Sequence, residues 1–593
     1  MAYTNRKEIP ENYKWNLGDL FPTVGDWDKT FDEVSKKTGD FEVFKNKLDN
    51  PKTILEMYKK LDEVMKVLEH LDGYAFMNYC EDSKDSGAQT RYGKIMTLYT
   101  EFTQKLAFID PEMSKLSDEQ FDKMIADPDF SDYTETLKHL RDGKAHILSE
   151  KEETLLAMAG DFGRYFQEIF NRLDSGDIDF GSITVDGKEV KLSHGAYSIY
   201  LQNPDQNVRK AAFERYYKGY TDIINTLAAI YEGSVKKDIF NAKARKFKTA
   251  MESSLFYEDV DKKVYDNLIK SVDASLEPLH EYVGLRKKIL GVKELNMYDL
   301  HVPLIKDADI ACEYEEAFEY VLKGLEPLGN DYLDLLKRAK NERWIDVHET
   351  PTKRSGAFSL GVFGVHPYVM LNYQKTTGDI FTIAHELGHS MHSYFSGGQP
   401  YAKYNYKIFV AEVASTCNEV LLLRYLLKTV KDVNVRKYLL SYYLDMIRTT
   451  MYRQTMFAEF EAVAHDLAEK GEPLSAELLS EKYYALNKKY YGKEVLHNEQ
   501  IKYEWSRIPH FYRAFYVYKY ATGIISAISI AQKILKEGAP AVKKYKQFLS
   551  MGCSEDPVSE LKVAGVDLTT SGPFEIVAKS FKETLEELKS LCK

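Results

Sequence analysis

"TTGDIFTIAHELGHSMHSYFSGG", residues 376–398, opens on Thr and Asp and closes on two glycines, which punctuate a single helix. Thr377 or Asp379 can cap its start, and Gly397–Gly398 can end it. On a helix, positions four apart share a face at a spacing of about 6 Å. His385 and His389 can therefore hold one zinc ion at about 2.0–2.1 Å each. Glu386 lies beside that face, where a base for a metal-activated water has to sit. Only 14 of the 593 residues are histidine, so H-E-x-x-H is expected by chance in roughly one of thirty such sequences. A surface helix with two unrelated histidines would show the same pentapeptide. His392 is a rival third ligand, but seven residues from His385 is about 10.5 Å along the axis, too far for one ion. Packing or an outer hydrogen bond is the expected role.

A catalytic zinc needs a third protein ligand and an open position for water. The 22 residues after His389 contain no Asp or Glu, and the first carboxylate is Glu412. It lies in "FVAEVASTCNEVLLLRYL", which reads as a second helix. Val410, Val413, Ala414, Cys417 and Leu421 fall on its apolar side, and Glu412, Thr416 and Glu419 share another face. The Gly-Gly-x-Pro loop lets the chain reverse, which can bring Glu412 to the metal. Glu419 can then orient a ligating histidine by accepting its other N–H.

Around these helices the chain also reads mainly as helix. In "TILEMYKKLDEVMKVLEHLDGYAFMNY" the residues Leu55, Tyr58, Leu61, Met65, Leu68 and Tyr74 recur at helical spacing. Residues 208–246 and 431–471 read as further long helical stretches. Strand signals are local. "SITVDGKEVKLSH" alternates around Asp186–Gly187, a hairpin signal, and places a boundary near residues 180–205. "WIDVHE", "GAFSLGV" and "HPYVMLNY" read as a small sheet beside the histidine helix. The expected organisation is an N-terminal helical region over 1–200 and a catalytic domain over 201–593. The sheet falls near 344–373 and the zinc helices near 379–428.

Composition narrows the function. A hydrophobic fraction of 44% and a charged fraction of 29% are those of a water-soluble globular chain. With 80 basic against 91 acidic residues, the net charge is −11, which disfavours nucleic acid as a partner. No run is long enough to span a membrane, and the polar N-terminus lacks the apolar core of a secretory signal. Five scattered cysteines form no disulfide framework, which fits a reducing cytoplasm. Oligomeric state is not legible.

H-E-L-G-H, followed by a glutamate in an E-V-A-S-T context, resembles the thimet-oligopeptidase-like zinc peptidases, and more closely their oligoendopeptidase F branch. "RSGAFSLGVFGVHPYVMLNY", "YDLHVPL", the hairpin at Asp186 and "RIPHFYRAFYVYKYATG" fit the same pattern, from about residue 115 onward. The resemblance implies two helical lobes around a deep channel, one zinc ion on its floor, and endopeptidase cleavage of short peptides. It implies that His510 and tyrosines near it stabilise the transition state. The chain departs from the pattern at Phe515, where the family has a tyrosine five residues after its motif histidine. That leaves Tyr512, Tyr516, Tyr518 and Tyr520, with Tyr518 and Tyr520 favoured after His510.

The expected mechanism follows. Zinc on His385, His389 and Glu412 activates water, and Glu386 is the general base. Gly356, Ala357 and Phe358 can bind substrate main chain as an added strand, with Tyr512 as a further substrate contact. Two other readings remain. A zinc exopeptidase would need a charge to capture a free terminus, for which Arg354, Arg507 and Arg513 are candidates. A helical peptide-binding protein would carry the site without turnover.

Overall fold

The computed structural model describes residues 3–305, 308 and 310–593. Among these, helices dominate and the strands are five short ones. The chain divides into two compact units, each assembled from three segments: Met1–Glu153, Asp309–Lys428 and Ile530–Val566 in the first, Thr154–Ala308, Thr429–Ser529 and Asp567–Lys593 in the second. None of the described helices is long and apolar enough to cross a membrane.

In the first unit the helix Pro51–Glu81 starts on the Asn50 cap, with Pro51 at its first position. Its periodic residues Tyr58, Leu68 and Tyr74 are buried, while Leu55, Leu61 and Met65 pack at the core margin. Trp27, Phe41 and Phe102 complete that core, and so do Tyr368 and Met370 from the small sheet and Val362 from the loop between two of its strands. The sheet consists of β3 (Ile345–Asp346), β4 (Phe358–Leu360) and β5 (Tyr368–Met370) in the order β3–β5–β4. β5 pairs parallel with β3 and antiparallel with β4, with Phe358 opposite Met370, so β4 is an edge strand.

The second unit holds the hairpin of β1 (Ser182–Val185) and β2 (Lys188–Lys191). Asp186 and Gly187 have φ of 50° and 76°, the left-handed pair that a tight I′ turn requires. The expected long helix over 208–246 is two helices, Gln206–Thr221 and Ile224–Ala244. The break falls in Thr-Asp-Ile-Ile, four residues of modest helix propensity, where Ile223 leaves helical geometry. The stretch 431–471 runs as Val433–Ile447 and Arg453–Glu469, joined by one wide π turn.

Candidate metal centre

The histidine helix spans Thr377–Ser396, and its cap is Thr376, one residue before the expected start. The extended backbone of Thr376 lets its hydroxyl accept from the Asp379 N–H (3.2 Å), while the Asp379 carboxylate accepts from the Thr376 N–H (2.8 Å). This is a capping box. Thr377 is instead the first helical residue, and its hydroxyl oxygen accepts from the Ile310 N–H.

The second helix, Ile408–Thr429, crosses the first at Gly388. A Cβ at Gly388 would lie 2.5 Å from Ser415 Cα and 2.6 Å from the Ala414 carbonyl oxygen. A mid-helix glycine costs about 1 kcal/mol relative to alanine; here it permits backbone-to-backbone contact. Asn418, fully buried, ties the crossing by donating to the Ala384 carbonyl (3.0 Å) and accepting from the Tyr332 hydroxyl (3.1 Å). Neither Gly388 nor Asn418 was expected as part of the site. The signals that would have found them are a glycine inside a long apolar helix and an asparagine on the buried face of another.

That contact brings three donors together. His385 Nε2 and His389 Nε2 are 3.2 Å apart, and Glu412 Oε2 lies 3.4 Å and 3.5 Å from them. Tetrahedral zinc with bonds of about 2.0–2.2 Å requires donor separations of about 3.3–3.6 Å. The three residues therefore fit a single zinc ion. The outer nitrogen of His385 meets Glu419 at 2.6 Å, which leaves Nε2 as the lone-pair side. Burial alone would depress the His385 pKa, but hydrogen bonds to Glu412 and Glu419 outweigh it and hold the value up to about 10. Against burial, His385 and His389 pull Glu412 well below the ordinary carboxylate range. A metal ion and that proton compete for the same lone pairs.

Glu386 is buried beside the donors at 7% exposure. Burial raises its pKa, opposed by the two histidines and reinforced by Glu412 and Glu419. His392 is in the core, its ring stacked 3.7 Å from that of Tyr406, and burial lowers its pKa to about 3.

β4 packs on the same helix through a Ser359–Ser390 hydroxyl contact of 2.8 Å. Among the described residues no strand pairs with its outer edge. Gly356 is left-handed at φ 86° and exposed. Its carbonyl accepts from Asn372 Nδ2 (2.7 Å). Ala357 is half-buried, and the Phe358 ring packs toward Phe76 (5.4 Å) in the core.

The His510 segment belongs to the second unit. His510 Nε2 and the Tyr520 hydroxyl are 3.3 Å apart. Tyr516 joins them, its ring near-parallel to His510 at 6.0 Å. The structure separates Tyr518 and Tyr512 from this cluster. Tyr518 is fully buried against Tyr265, and Tyr512 is buried and stacked on Phe170 at 4.6 Å. Crowding by surrounding protein, then Arg453 and Arg513, holds the His510 pKa below its ordinary value. Of the candidate terminus-binding arginines, Arg507 is tied to Glu504 (2.8 Å) and the Tyr217 hydroxyl (3.2 Å). Arg513 lies over the Tyr516 ring, and Arg354 over Phe76.

The model of peptidase family M3 matches residues 199–579, and that of the oligopeptidase F N-terminal region matches 112–180. The chain is 42% identical to the oligopeptidase PepF of Bacillus subtilis, over 99% of this chain and 88% of that one. A solved chain from Chlamydophila abortus superimposes with a TM-score of 0.94 at 32% identity, covering 99% of this chain and all of that one. The solved oligoendopeptidase F of Enterococcus faecium gives 0.74 at 34% identity, over 96% and 99%.

Proposed function

Because the chain belongs to peptidase family M3 and is by that membership a metalloendopeptidase, we propose that it hydrolyses internal bonds of short peptides with one zinc ion held by His385, His389 and Glu412. The observation that carries this reading is the set of three donor separations, 3.2, 3.4 and 3.5 Å, two within and one just short of the roughly 3.3–3.6 Å that one tetrahedral ion requires. Bound there, zinc would polarise the scissile carbonyl and lower the pKa of water.

The protein groups then divide the work. Glu386 takes a proton from the attacking water as its oxygen adds to the carbonyl carbon, and returns it to the leaving amine as the C–N bond breaks. A raised pKa suits a group that must both accept and release that proton. Glu419 fixes the ring and tautomer of His385. His510 and Tyr520 donate hydrogen bonds to the oxyanion. The outer edge of β4, with Gly356 and Ala357 leading into it, takes substrate main chain as an added strand, which reads backbone and tolerates varied side chains. The compartment we propose is the cytoplasm.

The test uses a peptide blocked at both ends. Glu386→Gln should keep its zinc and lose about 10²–10⁴-fold in kcat. Zinc-loaded Glu386→Gln with wild-type turnover overturns the base assignment. Glu412→Ala with undiminished zinc affinity removes that ligand. An untouched blocked peptide beside a cleaved free one would make the enzyme an exopeptidase.

A further inference from the structure

We propose that Glu461 is the positioning residue for the His510–Tyr520 pair, acting by fixing the backbone of Phe515; the catalytic meaning of the pair rests on the reading above.

Phe515 lies midway between His510 and Tyr520, five residues from each, at the turn that folds one back onto the other. Its φ is 53°, in the left-handed region. Of the non-glycine residues with positive φ it is the one aromatic residue among those described, the others being Asn, Asp, Lys and Arg. Asn and Asp enter this region readily because their short side chains bond locally, whereas a bulky side chain there is an outlier that its surroundings must hold. Phe515 is 1% exposed, so solvent does not relieve it.

The holding group is identifiable. The Phe515 N–H donates to Glu461 Oε1 at 2.8 Å. Glu461 is fully buried in the helix Arg453–Glu469, and its other oxygen has no hydrogen-bond partner among the described residues. A carboxyl that is buried and half-satisfied is costly, and the bond that its Oε1 accepts comes from the kinked backbone. One helical turn on, His465 sets its ring 4.6 Å from that of Phe515. Glu461 and His465, at i and i+4 on one face, thus hold the backbone and the ring of the same residue. On the neighbouring carbonyl, Ala514 accepts from Ser254 at 3.4 Å. Burial, with Asp238 adding to it, raises the Glu461 pKa well above the usual carboxylate range.

The experiment uses the full-length, zinc-loaded protein. Glu461→Leu keeps bulk and removes the acceptor; Glu461→Gln keeps the acceptor. We expect Leu to lower kcat about 10–100-fold with KM and zinc content unchanged, and Gln to stay within about threefold. Combining Glu461→Leu with Tyr520→Phe should cost no more than the larger single loss, since both act through one pair. The His510 imidazole titration, followed by NMR, should shift in Leu and not in Gln. Folded Glu461→Leu with kcat within twofold of wild type and an unshifted titration overturns the inference, as does full additivity. If Leu does not fold, Glu461→Asp withdraws the acceptor by one methylene and is judged by the same two readouts. A shifted titration in Glu461→Leu beside a fully active His510→Ala keeps the positioning role and overturns the catalytic reading of the pair.

Discussion

The proposed metal donors stand on two long helices pressed together at Gly388, whereas His510 and Tyr520 stand on either side of a kinked turn. In the first region the geometry is set by main chain. Ser415 and Ala414 lie where a Cβ of Gly388 would go, so the spacing of the helices follows from the absence of a side chain. In the second, a buried carboxyl and an imidazole hold one strained residue. A backbone-defined site tolerates few intermediate states, because interiors are close-packed and resist small displacements. A site held by side chains can be loosened one bond at a time. The two regions should therefore fail differently under mutation.

The largest effect should come from Gly388→Val. Its branched side chain would force the helices apart, and we expect zinc to be lost together with about 10³-fold or more of kcat/KM. Zinc bound at wild-type affinity in this variant would show that the crossing does not set the donor spacing. Next is Tyr520→Phe, which should keep zinc and lose about 10²-fold in kcat, the usual scale for one oxyanion donor. Loss of zinc instead would mean that the two regions are not separable in this way. Tyr518→Phe should stay within about threefold of wild-type kcat, because Tyr518 is in the core; a loss matching that of Tyr520→Phe would reverse the assignment.

The smallest effect concerns stability on the metal side. Glu560, 1% exposed in the helix Pro557–Val563, has its pKa held up to about 8, chiefly by burial. A carboxyl that is neutral when folded and ionised when unfolded stabilises fully below its unfolded pKa of about 4.3. That contribution is lost as pH rises through about 8. Glu560→Gln should raise Tm by about 2–4 °C at pH 9 and leave it unchanged at pH 4. Scanning calorimetry at the two values checks this, and equal shifts at both would refute it.

Much of the proposed metal centre is legible in the sequence because its parts are local. H-E-x-x-H uses the helical repeat, and Glu412 is the first carboxylate after an acid-free stretch. The Asp186–Gly187 turn was legible for the same reason. What escaped depends on contact between elements distant in sequence or on irregular backbone. The role of Gly388 appears only when the second helix is laid across it. Tyr518 and Tyr520 looked equivalent in the sequence, yet two residues on a helix point about 200° apart, so they cannot share a face. Tyr518 begins the helix Tyr518–Glu537, and that start, after the left-handed Phe515, decides which tyrosine meets His510. The two units were hidden in the same way, since each gathers segments far apart in the chain.

That interleaving bears on how the protein is made. Six segments alternate between the units, so the growing chain passes from one to the other five times. Every proposed zinc ligand has been synthesised once residue 412 is added, but the first unit is completed only by Ile530–Val566. This late segment supplies Phe548, whose ring lies 5.3 Å from that of His392, and Ser550, whose carbonyl accepts from Gln399 just after the histidine helix. A nascent chain paused at residue 529 would carry both halves of the proposed chemistry without the wall that closes behind the histidine helix. Metal capture should therefore come late in synthesis, after residue 566 has left the ribosome.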